Sequence, residues 1–340
     1  MKLKSLFLMT GLILSAQLQA FECRERLAQT VEESDIFYKE RVMKKGKYKG
    51  ECVYNFYRRN SPVFQKSLMK EDQREELEKK YGIQLDSRKV YFGNFRHGGK
   101  YYLAEYTPGS IKDSLLMFEK FIEPVHNVVL TGHTQLRFFL KEPIKLYHPK
   151  LPAQEVVDFT YAMFAAKPES IKSETFSPFG DGVKKNYVIT HNFMSIEDMA
   201  IEYKDYVKEG STHVSQHKLE SFGLDFEKAF YALLSASHRA YYGELDVYNT
   251  LTNNCVSNMY IGIIAGDKGM RKINHDQLTH RSVEAFGHNF ISPKNPHKKK
   301  VKNPMWVFRD LSHRGMIQGR DESEVIDFNR EISEILGLSN

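Results

Sequence analysis

Tyr248-Asn249-Thr250-Leu251-Thr252-Asn253-Asn254-Cys255 runs directly into Val256 to Ala265 (VSNMYIGIIA), and Gly266 closes the run. A polar loop passing into an apolar stretch of this length reads as a helix start, capped by Asn253 or Asn254. Cys255 then stands in the first turn. The first amides of a helix lack intrahelical acceptors and the dipole end there is positive, so thiolate is favoured over thiol. That is one way to make a nucleophilic cysteine. The plainer alternative is a cap followed by a cysteine packed inside.

Working outward, Leu224 to Tyr242 is the clearest helix, with Phe226, Phe230, Leu233, Leu234, Ser237 and Tyr241 along one face at spacings of three and four. Ser195 to Tyr206 opens with a Ser cap and acids in its first turn, which also reads as a helix, Glu197 and Asp198 acting as dipole partners. Glu71 to Tyr81 is a charged helix stopped by Gly82, and Lys89–Phe95 with Lys100–Tyr106 forms a hairpin around His97-Gly98-Gly99. The pattern predicts a helix over Ile111–Phe121 and a hairpin within Val125–Leu140 turning at Thr131-Gly132. Val156–Ala166 fits a strand or a buried helix equally well. Short strands are expected at Asn186–Ile189 and Val214–Leu219, and further helices at Arg24–Tyr38 and Glu322–Leu336.

The chain has 340 residues, 13% aromatic and 27% charged, with three cysteines. Such an aromatic content excludes a disordered chain, and three cysteines exclude a disulfide-dense miniprotein. The one long apolar run, Leu6–Ala16, follows Lys2 and Lys4 and precedes the small residue Ala20. This is the layout of a secretory signal peptide cleaved after Ala20, which places the mature protein in the periplasm or outside the cell. Residues 1–20 hold two lysines and no acid, so their removal lowers the formal charge from +6 to +4. Export makes Cys23 and Cys52 candidates for a disulfide worth roughly 3 kcal/mol by the chain-entropy argument. Cys255 is then left as a lone thiol.

A thiol nucleophile needs a base, and thirteen histidines offer candidates. His133 is best placed: it follows Gly132 and opens an alternating stretch, with Gln135, Arg137 and Phe139 on its side. His126 comes second, and His275 and His280 third. No spacing calls for a metal or a cofactor, and nucleic acid is a poor partner for an exported chain of this charge. The lysines Lys298, Lys299 and Lys300 could touch an anionic surface.

Taken in order, His133-Thr134-Gln135-Leu136-Arg137-Phe138, then Tyr187-Val188-Ile189 with Glu197-Asp198-Met199, then Tyr248 to Cys255, resemble the signature of the Lnb-type N-terminal periplasmic domain family. The resemblance spans roughly residues 125–265. It implies an α+β, circularly permuted papain-like thiol domain, an antiparallel sheet packed on helices, with the histidine strand ahead of the cysteine helix. It implies Cys255 as nucleophile and His133 as general base. Acyl groups would move through a thioester on the cysteine, as in lipoprotein N-acyl modification in the bacterial envelope. The family's S-[VI]-E-x-R strand has its nearest match at Tyr161–Ala166, without Glu or Arg, so no residue is named to orient His133. Residues 266–340 are polar where the envelope acyltransferases carry membrane helices, which leaves a hydrolase or amidase of related mechanism open.

The expectation is therefore a signal peptide (1–20), an N-terminal elaboration (21–110), a papain-like catalytic domain (111–270) and a C-terminal extension (271–340). Cys255 attacks a lipoprotein, lipid or peptide substrate in the envelope and His133 carries the proton. Asn254 and the Val256 amide support the oxyanion. The competing expectation is a non-catalytic envelope binding or scaffold protein that keeps the fold.

Overall fold

All nine residues of the strand Tyr187–Ser195 (YVITHNFMS) are buried, which a strand achieves only when both of its faces are covered. The computed structural model shows what covers them. It describes residues 37, 42–43, 46–54, 59–66, 69–123, 128–171, 180–243, 247–250, 253–267, 311, 316–317 and 326–337. The chain is α+β, with a large, mainly antiparallel sheet and five helices among the described residues. The strands are β1 (Val53–Tyr54), β2 (Val63–Phe64), β3 (Val90–His97), β4 (Lys100–Tyr106), β5 (Ile111–Glu123), β6 (Val128–Tyr147), β7 (Gln154–Pro168), β8 (Tyr187–Ser195), β9 (Thr212–Lys218), β10 (Val247–Tyr248) and β11 (Ile326–Asp327). The helices are α1 (Glu71–Tyr81), α2 (Ile196–Lys208), α3 (Phe226–Tyr241), α4 (Cys255–Ala265) and α5 (Phe328–Ile335).

The strand order is β1-β7-β8-β3-β4-β6-β5-β9-β11, with β2 attached to β3 and β10 to β8. β6 is long enough to pair with β5, β7 and β4, so β3, β4, β6, β7 and β8 form a closed circuit of hydrogen-bonded strands. Helix α3 fills that circuit. Its residues Phe226–Ala240 are all buried, and the Phe230 ring lies 4.8 to 6.1 Å from Phe92, Tyr106, Phe138, Phe159 and Phe193. One aromatic side chain thus meets a ring from each of the five strands. Helix α4 packs on α3 where Gly262 faces Leu233: a Cβ at Gly262 would stand 2.5 Å from a Leu233 methyl carbon. Gly262→Ala should therefore destabilise the protein by about 1–3 kcal/mol despite alanine's better helix propensity. A urea unfolding curve reads this directly.

Helices α2 and α5 cover the other face, around Met117, Met194, Met199 and Phe328. Ser195 caps α2 by accepting from the Asp198 N–H. Asp198 does more than complement the helix dipole. Its buried carboxylate accepts from the Gly99 N–H and pairs with Arg96 at 3.1 Å, which fixes the β3–β4 hairpin to the start of α2. Asp198→Ala leaves that amide without its acceptor and Arg96 with only Glu202, at 3.3 Å, as a carboxylate partner. A loss of about 3 kcal/mol is expected in the same unfolding measurement.

Two sequence expectations are corrected. Ile111–Phe121 is not a helix but most of strand β5. Its Leu, Met, Glu and Lys favour helix, yet Leu116 faces the cluster containing α3 and α4 while Met117 faces that of α2 and α5. With both faces buried the period of two disappears, and tertiary pairing overrides propensity. The hairpin turn expected at Thr131-Gly132 does not exist. β6 runs unbroken through these residues and pairs with β5 from Glu123↔Val128 to Ile111↔Leu140. Gly132 is there because of close approach: a Cβ would stand 2.7 Å from the Phe118 ring and 2.9 Å from the Glu119 carbonyl oxygen. Val156–Ala166, left open between helix and strand, lies in β7.

Residues 90–106 sit in the middle of the sheet, between β8 and β6, so the sheet draws on both sides of position 110. No described helix is long and apolar enough to cross a membrane. The signal peptide expected at residues 1–20, Cys23, the helix expected at Arg24–Tyr38, and Lys298, Lys299 and Lys300 lie, wholly or in all but residue 37, outside the described residues.

Candidate active site

The loop ahead of Cys255 is built from its asparagines. Asn249 and Asn253 exchange backbone hydrogen bonds of 2.9 Å in each direction, closing a tight loop. The Asn253 side chain donates to the Val247 carbonyl, that of Asn249 to Val183, and that of Asn258 to both the Asn253 side chain and the Asn254 carbonyl. These hydrogen bonds hold the chain in shape.

Asn254, not Asn253, is the cap of α4. Its Oδ1 accepts from the Ser257 N–H at 2.9 Å, and Ser257 Oγ accepts from the Asn254 N–H at 2.9 Å, a reciprocal capping box. This assignment decides what is left for chemistry. Of the four amides at the start of α4, the box uses those of Asn254 and Ser257. The remaining two, on Cys255 and Val256, turn to the Cys255 sulfur, and the Thr134 N–H from β6 joins them. Asn254→Ala should cost about 1 kcal/mol through the lost cap.

Cys255 is a free thiol, 5% exposed. Burial pushes its pKa up to about 11, outweighing the three N–H groups that favour the thiolate; the charge of Glu119 adds to the upward push. Desolvation therefore wins over the helix start. At neutral pH the sulfur carries its proton, and any attack by it requires a base.

His133 is placed one residue before the amide that faces this sulfur. Its ring stacks on Phe164 of β7 at 5.1 Å and 22°. Successive side chains of a strand alternate between faces. His133 thus shares a side of β6 with Gln135, which bonds Tyr203 of α2, whereas Leu136 faces the cluster that includes Cys255. The structure places Cys255 and His133 on opposite sides of β6, the sulfur on the α4 side and the imidazole toward α2, with the Thr134 amide between them. Val256 is buried, its amide turned to the sulfur.

The sequence missed Glu119. It lies directly opposite His133 in the β5–β6 register and is 4% exposed. Its carboxylate accepts from the Tyr203 hydroxyl at 2.6 Å, and that hydroxyl accepts from Gln135 Nε2 at 2.6 Å. Only the β5 register could have revealed it, and that register is hidden while the segment reads as a helix. The other candidate histidines, His126, His275 and His280, lie outside the described residues. Cys52 is buried beside β1 and is not a free thiol; Cys23, its expected partner, is outside the described residues. No family model matches the chain, and neither a curated protein nor a solved structure matches it.

Proposed function

We propose that the protein is an exported thiol enzyme of the bacterial envelope, with a permuted papain-like core, that transfers or hydrolyses acyl groups of lipoproteins, lipids or peptides through a thioester on Cys255. The observation that carries this reading is the Cys255 sulfur at the start of α4, faced by the amides of Cys255, Val256 and Thr134, with His133 next along the strand. The resemblance of the three ordered motifs supplies the substrate class.

In the proposed reaction His133 takes the thiol proton as sulfur attacks the acyl carbonyl. The S–C bond forms, and the oxyanion is held by amides at the helix start. The intermediate collapses as the C–O or C–N bond of the donor breaks, and the proton passes from His133 to the leaving group. A second nucleophile, an amine or water, then attacks the thioester and gives its proton to His133; the C–S bond breaks, the sulfur regains that proton, and the acyl group leaves as amide or acid.

A second reading, a non-catalytic envelope protein that keeps the fold, is favoured by the burial of Cys255 and the upward push on its pKa. A thiol-directed activity probe separates the two. The enzyme reading expects one adduct by intact mass at neutral pH, on Cys255, and slower labelling in His133→Gln. Labelling unchanged by Cys255→Ala would sink it, as would a native protein that labels only after unfolding. Export carries its own expected result: non-reducing peptide mapping of secreted protein should yield Cys23 linked to Cys52 and a mature chain beginning at Phe21.

A further inference from the structure

We propose that Glu119 is the positioning residue for His133, holding the imidazole and favouring its charged form when it receives a proton. This rests on the reading of His133 as the base and supplies the orienting group that the motifs do not name. Three observations support it. Glu119 and His133 are directly opposed in an antiparallel pair, a geometry that puts their Cβ atoms roughly 5 Å apart. Both are buried, so their interaction is weakly screened. The carboxylate is itself held, because the Tyr203 hydroxyl donates to Oε2 and is in turn fixed by Gln135 from the same side of β6.

Among the described residues, Glu119 is the charged side chain that the strand register places directly opposite His133. β7 contributes the uncharged Phe164, α2 contributes Tyr203, and the β9 residue paired with Glu119 is Val214. A carboxylate at this distance raises the affinity of an imidazole for its proton. It also disfavours a thiolate nearby, in line with the upward push on Cys255. Glu119 thus biases the pair toward neutral thiol and a strong base, which suits attack with concerted proton transfer rather than a preformed ion pair.

Imidazole nitrogen NMR on the folded protein tests this without any substrate. The His133 signal is identified by its loss in His133→Gln. Its titration midpoint is expected to fall by about one pH unit in Glu119→Gln and to recover part of that in Glu119→Asp. Should Glu119→Gln fail to fold, Glu119→Ala removes the same charge and is expected to give the same fall. A midpoint that does not move in either charge-removing variant overturns the proposal. The outcome is separable from the enzyme reading: wild type that never acylates Cys255 defeats that reading even if the midpoint shifts, and an unmoved midpoint defeats Glu119 alone.

Discussion

Cys255→Ala should form no acyl-enzyme and lose at least about 10³-fold in acyl transfer, while keeping the fold. The two halves of this expectation come from different parts of the structure. The sulfur is the only described free thiol, and the helix start around it is arranged so that the amides not used by the Asn254–Ser257 box face it. Alanine leaves those amides nothing to stabilise and no atom to attack. The fold does not depend on the sulfur to the same degree. The cap is made by Asn254 and Ser257, and Met259, Ile261, Ile263 and Ile264 carry the packing of α4. Losing one small buried group costs roughly 1 kcal/mol, comparable to Ile→Val. Activity measured beside a urea titration shows both results, and unfolding of the variant would assign Cys255 to the core instead.

Phe230→Ala should give the largest loss of stability, about 3–5 kcal/mol, a large part of what an ordinary domain has. The ring meets one aromatic from each strand of the closed circuit, so its removal leaves a cavity walled by Phe92, Tyr106, Phe138, Phe159 and Phe193. These strands are tied by hydrogen bonds into a circuit, which limits how far they can collapse into the space. The edge-to-face contacts are lost as well, each worth about 0.5–1.5 kcal/mol beyond burial. Phe230→Leu should recover roughly half. A shift of Phe230→Ala under 1 kcal/mol would mean that α3 does not fill the circuit.

What the sequence revealed and what it hid divide along one physical line. Elements with one wet face or a cap were legible. Helix α1 ends at Gly82 in the left-handed conformation, φ 64°, as its glycine implied. Ser195 caps α2, and Gly98 and Gly99, both at positive φ, turn the β3–β4 hairpin. Elements buried on both faces were not. β5 lost its alternation because Leu116 and Met117 face two different apolar layers, and β7 was ambiguous for the same reason. The site followed the same division. Cys255 and its cap stood out because a polar loop changes abruptly to an apolar helix. Glu119 was invisible because its role depends on which residue it opposes in space, and that required β5 to be recognised as a strand. The pKa of Cys255 could not be read either: the helix start argues downward, and only the extent of burial decides that the thiol ends up near 11.

The most direct test of the central claim is the rate at which an activated ester, such as p-nitrophenyl acetate, acylates Cys255 between pH 5 and 11, followed by intact mass in wild type and His133→Gln. With His133 as base, the wild-type rate should rise through the imidazole range and then level, about 10²–10⁴-fold above the variant at pH 8. The variant should climb only as the thiol itself ionises toward about pH 11, where the two curves meet. Superimposed curves with a single rise near pH 11 would contradict the account and leave Cys255 a buried cysteine without a base.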